Sequence, residues 1–133
     1  MTGERRGRVL LVEDDKFLRR ACEASLKQRG FDVLSATDGE EGLRLARAAP
    51  YPDVVLLDLL MPKLPGIDVL RALKGDDATA SIPVVILSNS SRDEDKVRAT
   101  QLGAAGYYVK ANLSLKALAV EVERLVNERV RSR

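Results

Sequence analysis

At 133 residues the chain is long enough for one ordinary domain and leaves little room for a second. Its 22 basic and 20 acidic residues give a net charge of +2, and no basic block interleaved with aromatics runs through it, so bulk charge makes no case for nucleic-acid binding. One cysteine and no histidine exclude an internal disulfide, Ser-His-Asp catalysis and the common zinc sites, and no apolar run approaches the ~18 residues of a membrane span.

Strand-like and helix-like segments alternate five times. Val9–Val12 is a continuous apolar run of the kind expected of a strand covered on both faces. Asp15 to Arg29 carries Leu18, Ala21, Cys22, Ser25 and Leu26 at helical spacing, with Gly30 as its stop; Cys22 on that stripe reads as core, since no histidine is present to activate it. Phe31–Ala36 is a second, less apolar strand, expected nearer an edge. Asp38 with Glu41 three residues on is an N-cap pair opening a helix through Ala48, beyond which Pro50 and Pro52 forbid continuation.

Asp53–Asp58 is the third strand, followed by an irregular loop, Met61-Pro62-Lys63-Leu64-Pro65-Gly66, and a third helix through Leu73. Gly75–Ser81 is polar loop, and Val84–Ser88 after Pro83 is the fourth strand. Glu94 to Leu102 is a weakly apolar helix with Val97 and Leu102. Gly103 and Gly106 frame a turn into a fifth strand, Tyr107–Lys110. From Ser114, the positions Leu115, Leu118, Ala119, Val122, Leu125 and Val126 give the clearest helical spacing in the chain.

Five strand–helix units with short connectors predict a doubly wound α/β domain: a five-stranded parallel sheet with right-handed crossovers and helices on both faces. The arginines at the two ends, Arg5, Arg6 and Arg8, then Arg129, Arg131 and Arg133, are expected to flank the fold as solvated tails. The single domain is expected over residues 8–129, with flexible tails at 1–7 and 130–133. The lone cysteine and the lack of a secretory apolar region after Met1 point to a reducing, cytoplasmic setting.

In an open parallel sheet the strand carboxyl ends line one edge, and ligands bind in the crevice there. Here those ends carry Glu13-Asp14-Asp15, Asp58, Ser88 and Lys110. Glu13, Asp14 and Asp58 would repel one another without a cation, and a few carboxylates plus water and phosphate oxygens suit Mg²⁺. Asp15 doubles as an N-cap for the first helix. Asp58 is the candidate nucleophile, because a carboxylate attacking phosphorus forms an acyl phosphate without a general base. Lys110 supplies a fixed positive charge for the transferring oxygens, and Ser88 a neutral donor.

These motifs resemble the receiver domain of two-component response regulators. Leu10-Leu11-Val12-Glu13-Asp14-Asp15 is similar to its acidic first motif. Asp58-Leu59-Leu60-Met61-Pro62 with Gly66 is similar to its phosphoacceptor loop, and Ser88 and Lys110 to its switch hydroxyl and lysine. The resemblance covers about Arg8 to Val126. It implies a flavodoxin-like sheet of strand order 2-1-3-4-5, and phosphoryl transfer to Asp58 from a histidine kinase or phosphotransfer protein. It further implies Mg²⁺ held by Glu13, Asp14, Asp58 and the Leu60 backbone carbonyl, with Tyr107 as the aromatic switch that follows Ser88. The first helix would dock the phosphodonor. The face of the fourth helix, fifth strand and last helix would carry the signal to an output partner or a second copy, with no direct nucleic-acid or membrane contact. No DNA-binding segment is present, so the chain reads as a stand-alone receiver or a piece of a longer regulator.

Three positions depart from the family pattern. Ala111 stands where proline, commonly cis, follows the lysine; because a cis bond before a non-proline residue costs about 2.5–4 kcal/mol, the Lys110–Ala111 peptide is expected to be trans or a strained cis. Asn89 is larger and more polar than the residue that commonly follows the hydroxyl, and is expected to modulate access to the phosphoryl group. Pro65 stiffens the loop before Gly66. Two rivals remain: a pseudo-receiver that is never phosphorylated, and a phosphohydrolase using an aspartyl phosphate. The latter needs a second acid two residues beyond its nucleophile, where this chain has Leu60. A nucleotide-binding module is weaker, since neither glycine-rich phosphate loop is present.

Overall fold

A computed structural model describes residues 6–131. In chain order the elements are β1 (Arg8–Val12), α1 (Lys16–Gln28), β2 (Asp32–Ala36), α2 (Gly39–Ala46), β3 (Val54–Asp58), α3 (Gly66–Gly75), β4 (Val84–Ser88), α4 (Asp93–Gln101), β5 (Gly106–Val109), a 3₁₀ turn (Lys110–Asn112) and α5 (Leu115–Arg131). The strands form one sheet in the order β2-β1-β3-β4-β5. Every pairing is parallel.

The side-chain period of two divides the central strands between two cores. Val9, Leu11, Val54, Leu56, Val85 and Leu87 face one layer with Cys22 and Leu26 of α1 and Leu118, Val122 and Val126 of α5. Leu10, Val12, Val55, Leu57, Val84 and Ile86 face the other with Val69, Leu70 and Leu73 of α3, Ala46 of α2 and Ala99 of α4. Continuous apolar runs are therefore what β1, β3 and β4 require, while β2 and β5, at the edges, are only half-buried. Replacing Leu56, fully buried in the middle strand, by Ala is expected to cost about 2–5 kcal/mol in urea denaturation, the usual penalty for an unrelaxed core cavity.

Local chemistry sets the helix starts. Asp15 caps α1 by accepting from the Phe17 and Leu18 amides. Asp38 caps α2 by accepting from Glu41 N at 2.8 Å, and Glu41 reaches back to Thr37 N at 3.3 Å, so the predicted pair forms. Differences at the ends are small but informative. The fifth strand stops at Val109, so that Lys110 opens the 3₁₀ turn instead of closing the strand. Ser114 stands just before α5, its hydroxyl accepting from Ala117 N. Val97 of α4 is exposed, leaving Ala99 as that helix's buried residue. Lys110–Ala111 is trans; among the described residues the cis peptide is Ala49–Pro50.

The terminal arginines depart from the expectation of solvated tails. Arg6 pairs with Glu123, Arg8 lies 3.2 Å from Asp32, and Arg129 lies 3.7 Å from Asp53. Asp53 also accepts from Arg8 N at 2.9 Å, and Arg129 donates to the Ser81 carbonyl at 2.8 Å. The amino-terminal edge of the sheet is thus tied to the end of α5. Residues 6 and 7 also lie inside the fold, since Arg6 N donates to Gly30 O and Gly7 O accepts from Asp32 N. Arg5, Arg133 and the remaining tail positions 1–4 and 132 lie outside the described residues.

Candidate functional site

Four elements deliver the polar residues to the carboxyl edge. Glu13 follows β1, and its amide extends the β1–β2 ladder by donating to Ala36 O at 3.0 Å. This places a carboxylate with no solvent exposure directly beneath the edge. Asp14 beside it is exposed. Arg19 of α1 reaches back to the Glu13 and Asp14 carbonyls at 3.1 and 3.3 Å, fixing the acidic turn. Asp58 ends β3 at 2 % exposure and accepts from Leu60 N at 3.1 Å. Gly66 allows the chain to fold back over it, because a Cβ there would lie 2.1 Å from Asp58 O.

Lys110 closes the group. Its ammonium donates to Glu13 Oε2 at 2.9 Å and to Asp58 Oδ2 at 3.0 Å. It also lies 2.9 Å from Glu13 Oε1, which nonetheless has no aligned hydrogen-bond donor. A buried carboxylate oxygen without a donor is costly, and a cation satisfies it. Ligand oxygens of Glu13, Asp14 and Asp58 lie within 4.8 Å of one another, close enough for one hard divalent ion. The donor set is all carboxylate, which favours Mg²⁺ or Mn²⁺ over softer metals.

Burial dominates the electrostatics of the group. Burial pushes the Glu13 carboxyl up to about 7, with Asp58 adding repulsion and Lys110 opposing both. Burial likewise raises Asp58, against the Leu60 amide and Lys110. Burial alone would lower Lys110, but its hydrogen bonds to the two carboxylates raise it, so it stays charged. Burial lifts the Cys22 thiol to about 11, which leaves that residue as core.

Ser88 ends β4 at 2 % exposure, one residue beyond the Asp58–Leu87 register pair. Its hydroxyl oxygen accepts from Ser90 N at 3.0 Å. Tyr107 of β5 donates its phenol to Ser90 O at 2.9 Å. Ser90 thereby joins the two expected switch residues, and its own hydroxyl pairs with Asp95 at the start of α4. Asn89 and Ala111 are exposed beside them, and Leu60 is 70 % exposed on the loop. Ser90 and Arg19 join the site without having been expected there. A hydroxyl two residues after Ser88 was the available signal for the first; the second acts through backbone carbonyls and leaves none.

A parallel 2-1-3-4-5 sheet whose carboxyl edge gathers a buried aspartate, two further acids, a lysine and a hydroxyl defines the class of flavodoxin-like domains equipped to handle phosphoryl groups. The family model of the response regulator receiver domain matches residues 9–122, and the chain belongs to that family. It is 42 % identical over 121 residues to the gliding motility regulatory protein of Myxococcus xanthus; the match covers 91 % of this chain but 15 % of that protein. Among solved structures, the receiver domain of Francisella response regulator 1452 is 30 % identical with a TM-score of 0.85, covering 92 % of this chain and 98 % of that one. The Mn²⁺-bound form of response regulator Rcp1 is 29 % identical with a TM-score of 0.77, covering 90 % of this chain and 91 % of that one. The chain is therefore a receiver domain of two-component signalling, a module whose function is to accept a phosphoryl group.

Proposed function

We propose that Asp58 is the phosphoacceptor. The observation carrying this reading is the buried Asp58 carboxylate held by Lys110 Nζ at 3.0 Å beside Glu13 and Asp14. An Asp58 oxygen attacks phosphorus of a phosphohistidine on a histidine kinase or phosphotransfer protein. The P–O bond forms as the P–N bond breaks, and the departing imidazole keeps the electron pair and takes up a proton. Glu13, Asp14, Asp58 and the Leu60 carbonyl would hold Mg²⁺, which supplies neutralising charge to the phosphoryl oxygens. Lys110 is positioned to pass from its present contacts to one of those oxygens, and Ser88 to donate to another. Leu60 offers no carboxylate for rapid hydrolysis, so the domain stores phosphate and promotes only its own phosphorylation and dephosphorylation. Exposed Asn89 tunes how fast water reaches the acyl phosphate, and Ala111, trans to Lys110, leaves the lysine turn without a proline lock.

The signal leaves through the Ser88–Ser90–Tyr107 chain. When Ser88 turns toward the phosphoryl group, Ser90 moves with it, the Tyr107 phenol loses its acceptor, and the α4–β5–α5 face changes population. Exposed Val97 on α4 and Val120 on α5 give that face apolar contacts for an output protein or a second copy. The α1 face docks the phosphodonor. Direct nucleic-acid and membrane contacts are not part of this function, and its setting is cytoplasmic; among the described residues no helix is long and apolar enough to cross a membrane.

Incubation with a small phosphodonor such as acetyl phosphate and Mg²⁺ is expected to add one phosphoryl group by intact mass, with no addition when the metal is chelated. No adduct from any small donor or kinase would establish a pseudo-receiver, and turnover of phosphoesters a hydrolase.

A further inference from the structure

We propose that the β2–α2 turn, through Gly39 and Asp38, is a positioning brace for the phosphoacceptor loop and thereby sets the affinity of the metal site. This rests on the Mg²⁺ reading above and extends it to residues remote from the cation.

The loop 59–65 is held at three places, the first being the bond from Leu60 N to Asp58 Oδ1 at 3.1 Å. At its end, Gly66 N donates to Leu59 O at 3.0 Å. At its middle, Pro62 O accepts from Leu64 N at 2.8 Å across Lys63, whose φ is +69°, which makes a γ-turn. Lysine has neither glycine's freedom nor the local side-chain bonds that help asparagine into this region, so such a turn persists only where its surroundings impose it. The surroundings are the β2–α2 turn. Gly39 N donates to the same Pro62 O at 3.4 Å, and Asp38 lies 3.5 Å from Lys63 Nζ. Gly39 packs so closely that a Cβ would lie 1.9 Å from Leu64 O.

The other side of α2 is equally tight. A Cβ on Gly42 would lie 2.7 Å from Val12, the residue before Glu13. One short helix therefore packs without clearance between the strand that carries Glu13 and the loop that carries the Leu60 carbonyl. The carbonyls of Leu59 and Pro62 are taken by hydrogen bonds, whereas that of Leu60 accepts none among the described residues and keeps both lone pairs available. This packing adds to the β1–β3 pairing and the Leu60 N–Asp58 bond in setting the spacing between the two halves of the ligand set.

Gly39 is in the first turn of α2, where alanine is the better helix former, so the clash of Gly39→Ala falls on Leu64, at its carbonyl and Cβ, and must displace the loop. Calorimetric titration of the unphosphorylated protein with Mg²⁺ is expected to show binding weakened about 10-fold or more in Gly39→Ala, the range found when groups that orient metal ligands are lost. Gly75→Ala, with open space at its Cβ, is expected to match the wild type. Phosphorylation of Gly39→Ala by acetyl phosphate is expected to need correspondingly more Mg²⁺ for half-maximal rate while recovering near-normal rate at saturation, a split that general destabilisation does not produce. Lys63→Gly keeps the turn but removes the tie to Asp38. It serves if Gly39→Ala fails to fold, and an about 3-fold weakening is expected from losing an exposed pair. Folded Gly39→Ala with wild-type Mg²⁺ affinity overturns the brace, as does unchanged affinity in Lys63→Gly where Gly39→Ala is unfolded. Absence of Mg²⁺ binding in the wild type itself would instead remove the metal reading, and the brace with it.

Discussion

Asp58→Asn remains folded and takes up no phosphoryl group: with acetyl phosphate and Mg²⁺, the intact-mass adduct seen in the wild type falls by at least ~100-fold, since an amide is a poor nucleophile toward phosphorus. The replacement is nearly isosteric. Its oxygen can still accept from Leu60 N, as Asp58 Oδ1 does at 3.1 Å, while Lys110 keeps its bond to Glu13. One member of a mutually repelling buried acid pair disappears, and one hydrogen bond to Lys110 goes with it. These changes oppose each other, so stability is expected to move by no more than about 1 kcal/mol in urea denaturation. Loss of the adduct without loss of the fold separates the phosphoacceptor from a merely structural acid. An adduct of undiminished yield on the Asn variant would place the acceptor elsewhere, with Asp14 the first residue to map.

Lys110→Met is expected to produce the largest stability change among the site variants. The side chain is 12 % exposed and lies between two carboxylates whose own exposures are 0 % and 4 %. Methionine fills much of the same volume, so the loss is chiefly of charge. Removing one partner from a buried ionic group leaves the rest uncompensated and costs about 3 kcal/mol in the metal-free protein. Two features shape the result. Glu13, already up at about 7, can discharge by taking a proton, which limits the cost near neutral pH. Mg²⁺ can replace the lost charge, so denaturation with and without Mg²⁺ is expected to show a larger metal-induced gain in Lys110→Met than in the wild type. Adding Glu13→Gln to Lys110→Met is expected to recover much of the metal-free loss. Unaltered stability of Lys110→Met in chelator would show that the lysine offsets nothing in the resting state.

The sheet was legible because each central strand carries an unbroken apolar run of four residues and each is followed by a helical segment. Glu13, Asp14, Asp58, Ser88 and Lys110 were legible for a related reason: the ends of parallel strands converge, so sequence position translates into place. What stayed hidden were contacts that depend on side-chain reach. Nothing in the chain order shows that Lys110 bridges Glu13 as well as Asp58, or that Arg19 clamps the acidic turn from α1. Arg6, Arg8 and Arg129 looked like tail residues because charge at a chain end is ordinarily solvated; their acidic partners come from Glu123, Asp32 and Asp53 on other elements. The importance of Gly39 and Gly42 was invisible for a different reason. A glycine in a helix reads as a weakness until the neighbouring backbone shows that no larger residue fits.

Several of the ties at the amino-terminal edge converge on one side chain. Asp53 binds the Arg8 amide and faces the Arg129 guanidinium, which also holds the Ser81 carbonyl, so β1, β3, the approach to β4 and the end of α5 are anchored together. Truncating Asp53 would therefore take a partner from the Arg8 amide and from Arg129 at once, so two elements lean on one side chain.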